Sequence, residues 1–145
     1  MMLYLDNAAT TLKKPLSVYA TLFKSTLFSG GNAGRGGYKM SMDAVRAIVD
    51  TQDLIAQLFN IKKAENIVFT QNATYALNTA ILGTMSNGGH IVVTEMDHNS
   101  VLRPACLVGN YTVVRADKSG YVHAEDVEKA VRKDTKLIVC THASN

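Results

Sequence analysis

Two short polar stretches hold the residues best suited to chemistry. Asn72-Ala73-Thr74 follows the apolar run Ile67-Val68-Phe69-Thr70 and opens a helical pattern. Unpaired N–H groups at a helix start, the helix dipole and the Thr74 hydroxyl together would seat a phosphate. The same residues would serve equally as an ordinary helix cap, through Asn72 or Thr74. The second stretch, Glu95-Met96-Asp97-His98-Asn99-Ser100, closes another apolar run. An imidazole there can stack on a flat ligand or exchange a proton near neutral pH, and it reads alternatively as a solvated loop histidine.

Other candidates are weaker. Cys140 and His142 lie two apart, on one face of a strand, but no third ligand of the right type is near, so no metal centre is expected. A glycine cluster over residues 30–37 lies between two helical patterns. It lacks both the Gly-Lys-Ser/Thr ending of a P-loop and the Gly-x-Gly-x-x-Gly dinucleotide pattern. Arg35 in its middle is the residue suited to clamping a carboxylate bidentately, or else a solvated arginine on a flexible loop.

The elements that must position these residues follow from periodicity. Leu16, Tyr19, Ala20, Phe23 and Leu27 share one helical face after Pro15. Val45, Ile48, Val49, Ile55 and Phe59 share another, with Ser41 as the expected N-cap. Strands are expected at residues 67–70, 91–94, 111–115 and 137–140, and helices at about 74–85, 100–108 and 124–133. Apolar strands alternating with helices predict an α/β protein with both sheet faces covered. In such a sheet ligands bind beyond the carboxyl ends of the strands, here residues 71–74, 95–100 and 141–145. The chain stops in the third of these loops, which reads as an incomplete domain.

Composition narrows the function classes. With 145 residues, 47% hydrophobic and 19% charged, the chain is long enough for one globular domain and is neither disordered nor fibrous. No apolar run approaches the roughly 20 residues of a membrane span, and the start has no signal-peptide form. A cytoplasmic location is therefore expected. The net charge of +3 is mild and scattered, which argues against nucleic acid and agrees with a pocket for a small anion. Cys106 and Cys140 are expected as buried thiols, not a disulfide.

Several stretches together resemble the class V aminotransferase family, in its cysteine desulfurase and selenocysteine lyase branch. They are Tyr4-Leu5-Asp6-Asn7-Ala8-Ala9-Thr10-Thr11, Gly31-Asn32-Ala33-Gly34-Arg35-Gly36 ahead of Ser41, residues 69–78, Met96-Asp97-His98-Asn99-Ser100, and Thr141-His142-Ala143-Ser144-Asn145. The resemblance implies an enzyme of fold type I dependent on pyridoxal 5′-phosphate (PLP), usually a homodimer. It implies that Ala73 and Thr74 hold the cofactor phosphate, that His98 stacks over the pyridine ring and helps proton transfer, and that Asn145 bonds the phenolic oxygen. Asn7, Ala8 and Ala9 would lie near the substrate amino acid, with Arg35 bordering the same pocket. Tyr38 stands where desulfurases often carry a histidine.

The resemblance also implies that the Asp pairing with the pyridinium nitrogen, the Lys forming the Schiff base and the desulfurase cysteine loop all fall after Asn145. The expected fold is thus a partial three-layer sheet of the fold type I large domain. Residues 1–145 would supply an N-terminal segment and the first half of that domain, without its second half or the small C-terminal domain. The whole enzyme would convert L-cysteine to L-alanine and an enzyme-bound persulfide, while this chain alone is expected to be inactive. The alternatives are a non-catalytic phosphate- or PLP-binding module dependent on a partner chain, and a class V aminotransferase or another PLP lyase.

Overall fold

The structure is a computed structural model that describes residues 3–5, 7 and 11–142. Asn145, Ala8 and Ala9, assigned above to cofactor and substrate, lie outside the described residues. The chain divides into two compact units, one running through Val68 and the other beginning at Phe69.

The first unit is helical. Pro15, with φ −54°, precedes α1 (Leu16–Phe28), where its missing N–H costs nothing. α2 (Lys39–Leu58) follows, then a 3-10 turn over Ala64–Asn66. Ser41 is not the N-cap of α2; Tyr38 takes that place. Ser41 is instead fully buried one turn inside, with Oγ 2.8 Å from the Asn32 carbonyl oxygen and 2.9 Å from that of Gly36. A serine cap would face solvent, whereas this hydroxyl holds the glycine loop against the helix. A side chain at Gly31 would put its Cβ 2.2 Å from the Met40 carbonyl oxygen, so the loop approaches α2 at a distance that only glycine permits.

The second unit is a three-stranded parallel sheet with helices. Its elements are α3 (Ala73–Thr84), β1 (His90–Thr94), α4 (Asn99–Val108), β2 (Tyr111–Val114), α5 (Ala124–Ala130) and β3 (Thr135–Ile138). β1 is central, with β2 and β3 parallel on either side. Every residue of β1 is buried, as a parallel strand covered on both faces requires. Its period of two sends Ile91 and Val93 into a core with Ile81 of α3, Met85 at the C-cap of that helix, and Val101 and Ala105 of α4. Burying each such Ile or Val side chain contributes about 1.5–3 kcal/mol. On the opposite face His90 spans the sheet, with Nδ1 2.7 Å from Thr135 Oγ1 and Nε2 2.9 Å from Thr112 Oγ1.

Four sequence expectations fail here. Residues 67–70 form no strand: Val68 and Phe69 are exposed, and the run pairs with no strand among the described residues. The carbonyl of Ile67 instead accepts from the Gln52 side chain. β3 starts two residues earlier than expected because Thr135 pairs with His90, and α5 stops early because Val131 is extended. Cys140 then falls beyond the strand, and both it and Cys106 are exposed, not buried. Among the described residues no helix is long and apolar enough to cross a membrane.

Candidate functional site

The carboxyl end of β1 and the start of α3 build a cleft of about 470 Å³, lined by Thr74, Asn78, His98, Asn99, Ser100 and Arg103. At the start of α3, Asn72 is the cap: its backbone is extended and its Oδ1 accepts the N–H of Tyr75 at 2.9 Å. Thr70 steadies the entry by donating its hydroxyl to the Asn72 carbonyl at 2.9 Å. The N–H groups of Ala73 and Thr74 and the Thr74 hydroxyl keep no acceptor among the described residues, so they remain for solvent or a ligand. The capping role thus falls to Asn72 and leaves the donors of Ala73 and Thr74 unengaged.

A tight turn delivers His98. After β1 the Asp97 N–H closes on the Thr94 carbonyl at 3.1 Å, and His98 becomes the N-cap of α4. Its Nδ1 accepts the Ser100 N–H at 3.1 Å and lies 2.9 Å from Ser100 Oγ. Asn78, one turn into α3, donates to the Thr74 carbonyl at 2.8 Å and reaches the Ser100 carbonyl at 3.4 Å. That amide ties the first turns of α3 and α4 together.

Two helix N-termini therefore open on one cleft, each equivalent to roughly half a positive charge. Arg103 adds a full charge, and among the described residues it has no ion pair and no acidic side chain lines the cleft. Such a donor set is chemically suited to an anion whose oxygens accept from N–H and O–H groups, a phosphate monoester among them. The exposed imidazole of His98 offers a flat apolar face at the same rim.

Of the residues expected from sequence, Thr74 and His98 come together in this cleft, with Ala73 beside Thr74 as the first residue of α3. Asn7 and Arg35 are exposed in the first unit, Arg35 within the glycine loop. Asn78 and Arg103 were not singled out. The available signal was helical spacing: Asn78 stands four residues after Thr74, and Arg103 four after Asn99.

The sequence profile of the aminotransferase class-V family matches residues 3–145. The chain belongs to that family. It is 32% identical over 98% of its length to a probable cysteine desulfurase of Aeropyrum pernix, of which it covers 36%. It is 33% identical to the cysteine desulfurase IscS of Dictyoglomus turgidum, covering 37% of that protein. The chain thus spans about a third of the length of these relatives. Among solved structures, a NifS-like protein matches with a TM-score of 0.85 at 24% identity, over 97% of this chain and 40% of that one. DndA from Streptomyces lividans matches with a TM-score of 0.77 at 25% identity, over 99% of this chain and 42% of that one. The parallel sheet of the second unit agrees with a part of the fold type I large domain. The family is PLP-dependent.

Proposed function

We propose that this chain supplies the phosphate-binding part of a PLP-dependent cysteine desulfurase-like enzyme, which acts on L-cysteine to give L-alanine and an enzyme-bound persulfide. The observation that carries the reading is the meeting of Thr74, at the start of α3, with His98, at the start of α4, in one cleft without acidic side chains. The donor set fits the phosphate of PLP: the N–H groups of Ala73 and Thr74 and the Thr74 hydroxyl bind its oxygens, and Arg103 adds charge. When bound, PLP supplies an electron sink for chemistry at the substrate α-carbon.

His98 lays its ring on the pyridine face. With Nδ1 accepting from Ser100, its exchangeable proton sits on Nε2, the atom free to pass a proton at the rim. The family resemblance gives Asn145 the role of bonding the phenolic oxygen, and Asn7, Ala8, Ala9 and Arg35 roles toward the substrate. Residues 1–145 form the N-terminal segment and first half of the large domain. A homodimer agrees with the exposed apolar side chains of α1, among them Leu16, Leu22, Phe23 and Phe28.

A second reading has its own observation: among the described residues no lysine lines the cleft. On that reading the chain is a partner-dependent module that holds the cofactor by its phosphate alone. Equilibrium binding of PLP tests both. Binding should be reversible, competed by inorganic phosphate, and weakened about fivefold to tenfold by Thr74→Val but little by Thr74→Ser. Binding unaffected by Thr74→Val and by phosphate would refute the assignment.

A further inference from the structure

Asp97 immediately precedes His98 and is 6% exposed, yet the anion site does not use its carboxylate. Oδ2 accepts the Thr94 N–H at 2.7 Å and the Thr94 hydroxyl at 2.9 Å, which locks the turn at the carboxyl end of β1. Oδ1 accepts the Thr141 hydroxyl at 2.7 Å, from the chain that has just left β3. Below this, the Val139 N–H donates to the Val92 carbonyl at 2.9 Å, so the two segments run side by side up to the carboxylate. A buried carboxylate is stable when its oxygens are hydrogen-bonded, and here three donors converge on it.

One side chain therefore joins the turn that presents His98 to the chain at Thr141, just beyond β3. We infer that Asp97 is a positioning residue for the cofactor ring, holding the turn that presents His98, the residue proposed to stack on the ring, against the chain at Thr141. The inference rests on the PLP reading above. Asp97 does not touch the phosphate seat, which belongs to α3. Its loss should disturb recognition of the ring and leave recognition of the phosphate.

Two probes separate these effects: PLP, which carries ring and phosphate, and inorganic phosphate, which carries only the latter. Asp97→Ala should lower PLP affinity about tenfold while inorganic phosphate affinity changes less than about twofold. Asp97→Asn keeps the shape and can still accept from Thr94 while offering its N–H to Thr141 Oγ1, so it should restore most of the PLP affinity. Should Asp97→Ala not fold, Thr141→Val carries the test, because it removes only the bond across to β3 and should cost PLP about threefold. Unchanged PLP affinity in the folded variants, or a parallel fall for both probes, would overturn the inference. A native chain that binds neither probe would overturn the phosphate reading itself, and the inference with it.

Discussion

The Nδ1 atom of His98 accepts the backbone N–H of Ser100 at 3.1 Å. Neutral imidazole so engaged carries its proton on Nε2. Nitrogen-15 spectra of His98 should therefore show the Nε2–H tautomer in the neutral ring. His98→Asn keeps a good cap and should leave stability nearly unchanged, while His98→Ala should cost about 1 kcal/mol. Urea midpoints check the difference, and equal midpoints would remove the capping role.

Ser41 and the glycine loop make a second case. The buried hydroxyl lies within hydrogen-bond distance of the carbonyls of Asn32 and Gly36, so Ser41→Ala removes the bond that holds them at a cost of about 0.5–1.5 kcal/mol. The exposed Arg35 lies between those anchors. Trypsin should cut after Arg35 faster in Ser41→Ala than in the native chain. An unchanged rate at that bond, against other sites as reference, would show that Ser41 does not hold the loop.

What could be read from sequence depended on how local its cause was. The helix starting near Thr74 and the strand at Ile91 are set by their own side chains, and both appear within a residue of expectation. The failures depend on neighbours. Residues 67–70 are as apolar as a strand but find no strand to pair with, and β3 takes its register from His90, far away in sequence. Ser41 looked like a cap because serine usually caps; its burial follows from the close approach of Gly31 to Met40, which no local pattern records. At the site, His98 and Thr74 were legible from their places at element ends, but the Asn78 bridge needed α3 and α4 side by side.

His90 predicts the response to acid. Burial, and after it the Arg132 guanidinium, hold the imidazole below its ordinary value of 6.5, with Asp134 opposing. Just below that value the unfolded chain binds more protons than the folded one, so stability falls as pH drops through 6.5 toward the folded pKa. The contribution is complete above 6.5. His90→Gln, which does not titrate, should flatten urea midpoints between about pH 7 and 5.5 relative to the native chain. A second fall belongs to Asp117, held at about 2 by the Ser119 hydroxyl and then by the N–H groups of Tyr121 and Ser119. Its contribution is present above 3.8 and is lost as pH falls toward about 2.

Because no lysine among the described residues lines the cleft, borohydride treatment of the chain with PLP should leave no single pyridoxyl-lysine. Peptide mass mapping checks this. A stoichiometric adduct on one lysine, lost in the presence of excess phosphate, would place a covalent anchor within this chain and contradict the lining described above.

The central claim is that the start of α3, facing the start of α4, seats the phosphate of PLP. Its most direct test is a titration of the isotope-labelled chain with PLP, followed through backbone amide resonances. Saturable shifts that are largest at Ala73 and Thr74, reproduced at these two positions by inorganic phosphate, are the predicted result. Shifts centred away from α3, or none at Thr74 while PLP binds, would contradict it.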